Sequence, residues 1–282
     1  MSQNFLSIYA KSFNWAGFFL PKKVYQSSSD LYDFCRTLDD IADQNLDLKI
    51  KKEIFKKFKN NFENKNFENP IIKKIYYLME SFRISQNIIL DLFDGVESDL
   101  KEQIKFNSNE ELLIYSYRVA GTVGLMMAKI LGVRSQNSFK AAINLGIAMQ
   151  LTNVARDVIE DSVRKRNYIK ADFQSISETL KLADKFYDSS FKSINEIPFR
   201  SRFSILVARR VYREIGKKIL EKKNMENYKN SGKIFVSKLG KIYQTFLSIF
   251  DLIKLLFVKS KEDLVKNEYD KINKEINLNE RI

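Results

Sequence analysis

Helix-breaking residues are scarce in this chain. Three prolines and nine glycines are spread over 282 positions, and Leu, Ile, Phe, Lys and Glu fill long stretches between them, a composition that favours helix. No alternation at period two is long enough for a sheet, and there is no internal repeat. The chain is therefore expected to be all-α. Its length suits one large domain or at most two. The charged segment 259-KSKEDLVKNEYDKINKEINLNERI-282 reads as a tail, either a peripheral helix or disordered, behind a body of residues 1–258. Ser28, Ser29 and Asp30 form an N-cap cluster ahead of a helix over 31–43. Ser108 and Glu111 form a capping box that opens a helix over 112–132. Further helical patterns cover about 138–161, 175–194, 199–224 and 234–258, with loops expected around 60–70, 132–138 and 225–232.

The chain carries a formal charge of +13, has no histidine, and has Cys35 as its one cysteine. One cysteine excludes an internal disulfide and a thiolate zinc site, and fits a reducing cytoplasm. Without histidine, Ser-His-Asp, Cys-His and HExxH chemistries are excluded. Any catalysis must run on carboxylates, metals, Arg/Lys or Tyr. The positive charge suits an anionic partner, whether nucleic acid, a membrane surface or a phosphorylated small molecule, or equally a solvated helix surface such as 49-KIKKEIFKKFKNNFENKNFENP-70. The first residues, MSQNFLSIYAKSFNWAGFF, lack the features of a signal peptide. The run 246-FLSIFDLIKLLFV-258 is too short to cross a bilayer and carries Asp251 and Lys254. It reads as an amphipathic helix, packed as core or touching a membrane surface.

Acidic residues recur at helical spacing. In 38-LDDIADQ-44, Asp39 and Asp43 stand at i and i+4, which puts their Cβ atoms about 6 Å apart on one face, with Asp40 rotated about 100° away. Like charge at that spacing is unfavourable, and a divalent cation removes the cost; a solvated acidic face gives the same pattern. The segment 150-QLTNVARDVIED-161 repeats the arrangement with Asp157 and Asp161. Here Gly146, Gln150, Asn153, Asp157 and Asp161 fall in a stripe less than about 90° wide, between apolar flanks. A polar line that narrow suggests a lined cavity rather than a surface helix. Two Asp pairs facing across a bundle suit Mg²⁺, which takes one or two carboxylates and completes its octahedron with water and phosphate oxygens, so the expected ligand is a diphosphate. Arg36, Arg156, Arg164, Lys165 and Arg166 are at hand for its charge. Gly121 and Gly124, inside an apolar helical pattern, need a compensating reason, either close helix packing or a kinked wall that admits a long apolar ligand.

These residues lie within a larger ordered set: 11-KSFNWAG-17, 32-YDFCRTLDDIAD-43, 94-DGVESDL-100, 115-YSYRVAGTVGLM-126, 150-QLTNVARDVIED-161, 166-RNYI-169 and 209-RRVYREIG-216. Collinear over about residues 8 to 245, it closely resembles the squalene/phytoene synthase family of head-to-head prenyl transferases. YSYRVAGTVGLM looks more like the phytoene synthase branch. The resemblance implies an all-α isoprenoid synthase fold, a single helical bundle around a central cavity. It assigns metal binding to Asp39, Asp43, Asn153, Asp157 and Asp161. Ser12, Tyr32, Arg36, Gln150, Arg156 and Tyr212 match positions near the diphosphates or the prenyl chain, and Tyr115 and Lys233 match more loosely. Of these, the four aspartates, Arg36 and Tyr212 would be catalytic. Lys170 stands where a proline is usual, and Asn167 where an apolar residue is usual.

The implied activity is Mg²⁺-dependent condensation of two geranylgeranyl diphosphates to phytoene through a cyclopropyl diphosphate, with Mn²⁺ as an alternative ion and no NADPH. The alternatives are squalene, dehydrosqualene or presqualene diphosphate synthesis from farnesyl diphosphate, and a non-catalytic descendant of the family. The expected location is the cytoplasm, with peripheral contact to an anionic membrane and no nucleic acid partner. A basic scaffold for nucleic acid would leave the matched Asp pairs unexplained.

Overall fold

The structure, a computed structural model, describes residues 15–259 and 261–282. Four helices build one side of the molecule: α1 (Lys22–Asp43), α2 (Leu48–Glu63), α3 (Pro70–Phe82) and α4 (Gln86–Glu97). The Asp47 side chain caps α2, and Asn69 caps α3, which has Pro70 at its first position. Phe34, Phe55, Phe58, Phe62 and Phe93 interlock between these helices, with ring centroids 5.3 to 6.4 Å apart.

The first helix differs from the sequence reading. It begins at Lys22, behind Pro21, so Ser28, Ser29 and Asp30 lie inside it and cap nothing. Ser28 Oγ donates instead to the Val24 carbonyl at 2.8 Å, the mid-helix alternative open to a serine. The capping box at Ser108 does form: Ser108 Oγ accepts from Glu111 N at 3.2 Å, and Glu111 reaches back to Asn107 N. It opens a helix interrupted once. After α5 (Asn109–Ser116), residues Tyr117–Gly121 make a π-helical turn before α6 (Thr122–Ile130).

The long helix α7 (Gln136–Val163) runs through the middle, against α6, α8 (Phe173–Phe191) and α9 (Phe199–Leu220). A two-residue parallel pairing, β1 (Ile104–Lys105) with β2 (Arg166–Asn167), ties the loop after α4 to the loop after α7. The stretch 225–232, expected as a loop, contains a one-turn helix α10 (Met225–Asn230) capped by Asn224. It leads into α11 (Lys238–Phe257). The last segment packs on the body. It forms α12 (Lys266–Asn273), buries Val265, Ile272, Ile276 and Leu278 in the core, and pairs Arg281 with Asp91 at 2.8 Å.

Glycine is what lets α7 approach the π-turn and α6 so closely. A Cβ on Gly124 would sit 2.2 Å from the Ala142 carbonyl oxygen, and one on Gly146 the same distance from that of Ala120. The close-packing reading of this region holds, since the glycines bring the backbones together, and a π-helical turn lies in the same wall. Gly124→Ala or Gly146→Ala should therefore each lower the unfolding free energy by about 1–3 kcal/mol. This would appear as a reduced urea midpoint at unchanged slope. Wild-type midpoints for both variants would refute the close approach.

Candidate active site

The acidic ends of α1 and α7 face one polar cleft of about 450 Å³, lined by Asp39, Asp43, Asp157 and Asp161 together with Gln150 and Asn153. The narrow stripe on α7 is a cavity wall, because its flanks Ile147, Leu151, Val154 and Val158 are buried in the core. At its inner end the cleft meets an apolar cavity of about 290 Å³. Asp39, Val119, Gln150 and Asn153 line both spaces. The apolar walls come from α1, the π-turn, α6, α7 and α9, including Leu31, Val123, Met127, Leu145 and Ala208.

Charge in the cleft is crowded. Burial, reinforced by Asp43, pushes the Asp39 carboxyl up to about 7; burial and Asp157 do the same to Asp161. The Asp39 side chain is exposed to the cleft, so its rise reflects a position recessed among Asp43, Asp99 and the apolar wall rather than full burial. Basic side chains offset the other carboxylates. Asp43 takes Arg166 at 2.8 Å and Arg164 at 3.1 Å. Asp157 takes the neighbouring Arg156 through two nitrogens at 2.8 and 2.5 Å, and Lys233 at 3.4 Å. Arg36, which also lines the cleft, pairs with Asp40 one turn along α1 at 2.6 Å and partly opposes the rise at Asp39.

The remaining sequence candidates fall around this frame. Tyr32 lines the apolar cavity, and burial pushes its phenol up to about 12. Tyr212 is buried beside Arg156 and Tyr32, likewise pushed up by burial to about 12, and lines neither space. Tyr115 lines the cleft, and Lys233 stands exposed at its rim. Ser12 lies outside the described residues.

A further group escaped the residue-by-residue reading. Asp99 lines the cleft and accepts hydrogen bonds from Tyr115 Oη at 2.8 Å and Tyr168 Oη at 2.7 Å, whose rings stack at 4.7 Å. Burial raises the Asp99 carboxyl, and Arg166 opposes the rise. The β1–β2 pairing brings Asp99 and Tyr168 together from distant loops. The segments DGVESDL and RNYI, which carry them, are the signal that could have identified them.

Among the described residues, no three acidic side chains converge on a point where one ion could be held by protein alone. The donors nevertheless suit a hard cation: they are carboxylates, and Asn153 adds a buried Oδ1 that accepts no hydrogen bond. An ion here needs further oxygens from water or a bound anion.

Comparison with known proteins agrees with this geometry. The sequence model described as Squalene/phytoene synthase matches residues 7–174. The chain is 30% identical to phytoene synthase of Pseudescherichia vulneris, over 74% of this chain and 78% of that protein. It is 35% identical to 15-cis-phytoene synthase of Paracoccus sp. (strain N81106 / MBIC 01143), over 54% and 55% respectively. A crystal structure of a dehydrosqualene synthase superposes with a TM-score of 0.72 at 24% identity, covering 89% of this chain and 94% of the other. Squalene synthase HpnC from Alicyclobacillus acidocaldarius gives 0.65 at 16% identity, covering 79% and 91%. These two show the fold, which is that of the isoprenoid synthases. The chain belongs to the squalene/phytoene synthase family of prenyltransferases.

Proposed function

We propose that this protein is a phytoene synthase, joining two geranylgeranyl diphosphates head to head. The observation that carries the reading is the junction at Asp39, Val119, Gln150 and Asn153, where an acid- and arginine-lined cleft runs into an apolar cavity. That shape matches an amphiphile with a doubly charged head and a long hydrocarbon tail. The choice of a C20 chain rests on the relatives, which are phytoene synthases, and on small residues along the cavity: Ala16, Gly17, Ser28, Ala120 and Gly124.

In this reading Asp39, Asp43, Asn153, Asp157 and Asp161 would hold Mg²⁺, or Mn²⁺ in its place, and the ion would supply neutralisation of diphosphate charge. Arg36, Arg156, Arg164, Arg166 and Lys233 supply the remaining positive charge around the cleft. Cleavage of the first C–O bond leaves its electron pair on the diphosphate and an allylic cation in the apolar cavity. Leu31, Val123 and Leu145 give that cavity a largely hydrocarbon wall that keeps bulk water from the cation. The double bond of the second substrate attacks the cation, and loss of a proton closes the cyclopropane. The second diphosphate then departs, the skeleton rearranges, and a last proton is lost to give the triene. Tyr32 and Tyr212 stay protonated at neutral pH, since burial holds both near 12, and so act as hydrogen-bond donors. With no histidine in the chain, the final proton goes to a carboxylate, a tyrosine, water or the released diphosphate, and this reading favours the diphosphate because it is left beside the cation. No step requires hydride. The same reading places the protein at an anionic membrane surface on the cytoplasmic side, since its substrates and product are greasy; no helix among the described residues is long and apolar enough to cross a bilayer.

Asp43→Asn and Asp157→Asn should each cut turnover by at least about 100-fold, with the fold retained and the melting temperature near wild type, since relief of repulsion toward Asp39 or Asp161 is set against loss of the ion pair with Arg166 or Arg156. EDTA should abolish activity, and added Mg²⁺ or Mn²⁺ should restore it. Full turnover in either variant, or in EDTA, would sink the metal assignment.

The product assay is direct. Purified protein with the C20 substrate and Mg²⁺ should yield a conjugated C40 triene, identified by mass and ultraviolet spectrum, equally with and without NADPH. A C30 product formed only from the C15 substrate, or a hydrocarbon appearing only with NADPH, would move the protein to the squalene side of the family.

A further inference from the structure

Helix α11 is inside out. Over its middle turns the side it turns to the body is polar, with Gln244, Ser248 and Asp251 buried, and only toward its C-terminal end does an apolar residue, Leu255, take their place. Asp251 receives Arg210 of α9 through two nitrogens at 2.5 and 2.8 Å, and Gln244 Oε1 accepts from the same guanidinium at 3.4 Å. Thr245 accepts from Trp15 Nε1 at 2.9 Å. These contacts fix the rotation of the helix about its axis, since rolling it over would strip a buried carboxylate of its partner. The opposite side is a continuous apolar row exposed to solvent. Leu239, Tyr243, Phe246, Phe250, Ile253 and Phe257 recur along it at three- and four-residue spacing, and each is 54% to 80% exposed. Phe235, 72% exposed, extends the row past the N-terminus of the helix.

Two observations point to what covers this row. It carries no acidic side chain: Asp251, the one acid on α11, is turned inward, whereas Lys238 and Lys259 are exposed at its two ends, with Lys254 exposed over the Phe191 ring and Lys261 paired with Asp188 at 3.9 Å beside them. Apolar residues framed by lysines complement an anionic lipid surface, whose acyl region accommodates a convex helix of any shape and whose headgroups attract the cations. The second observation lies beneath the helix. Leu252, Leu255 and Val258 pack in one cluster with Leu20, Leu131, Val133, Ile194 and Ile197, and those five also line the apolar cavity. Only one helical layer therefore separates the row from the space read as the prenyl site.

We propose that the outward face of α11 docks the protein onto an anionic bilayer, with Phe246, Phe250 and Ile253 entering the headgroup–acyl boundary. The proposal rests on the peripheral location given under the proposed function, and assigns the face that mediates it.

The test uses the full chain and vesicles of phosphatidylcholine, alone or with about one-third phosphatidylglycerol. Wild type should sediment with the anionic vesicles, and its partition coefficient should fall about tenfold with neutral vesicles or at high salt. The triple variant Phe246→Ser, Phe250→Ser, Ile253→Ser should bind the anionic vesicles about 100-fold more weakly. Its melting temperature and its turnover on detergent-dispersed substrate should match wild type. A second variant, Phe250→Trp, places a reporter on the face without removing it: its emission should shift to the blue on adding anionic vesicles, and brominated acyl chains should quench it. If wild type binds neither vesicle, the peripheral location itself fails. If wild type and the triple variant bind equally and the Phe250→Trp emission does not move, the location stands and this face is wrong. If wild type is a dimer by light scattering, the triple variant is a monomer and neither binds lipid, a second copy covers the row and the proposal is overturned.

Discussion

Six carboxylates from three parts of the chain share one cleft, and the cost of holding them there shapes much of the structure. Asp39, Asp43, Asp99, Asp157, Glu160 and Asp161 line the same space. Burial and mutual repulsion raise Asp39 and Asp161 to about 7. Asp43 is offset by Arg164 and Arg166 from the segment that follows the second acidic pair, and Asp157 by Arg156, the residue just before it. Two tyrosine hydroxyls satisfy Asp99. Hard-oxygen donors beside cationic side chains suit a metal–diphosphate unit, which is the ligand of the function proposed above.

The apolar half of the site depends on backbone geometry. Close approach at Gly124 and Gly146 and the π-turn at Tyr117–Gly121 set the wall that carries Val119, Ala120 and Val123 into the cavity. The C-terminal segment braces this wall from behind. Arg281 holds Asp91, which accepts from Tyr117 Oη at 3.0 Å, and Arg118 pairs with Glu275 at 2.7 Å. A segment whose composition reads as a solvated tail thus supports the tunnel through a few buried aliphatic residues and two ion pairs.

Helical periodicity made much of this legible in the sequence. The i, i+4 spacing of Asp39/Asp43 and Asp157/Asp161, and the polar stripe through Gln150 and Asn153, survive in the structure as written because α1 and α7 are regular over those residues. Tertiary contacts carried what was not legible. Ser28–Asp30 resembled a cap, but the aliphatic and aromatic residues on either side continue one helix from Pro21. The Asp99–Tyr115–Tyr168 group depends on a two-residue strand pairing between loops, which no local pattern announces. The run 246–258 was recognisable as amphipathic, but the side it turns outward is set by Arg210 on another helix.

The central claim is that one amphiphile spans the junction between cleft and cavity, with its charged head between the two Asp helices. The most direct test is a crystal structure with Mn²⁺ and a C20 thiolodiphosphate that cannot ionise at the normal rate. Anomalous peaks should lie between the α1 carboxylates and the Asn153–Asp157–Asp161 face of α7, bridged by the diphosphate, with the hydrocarbon running past Val119 toward Leu131 and Ile197. Metal bound elsewhere, or a diphosphate in the cleft with its tail lying outside the cavity, would contradict the account.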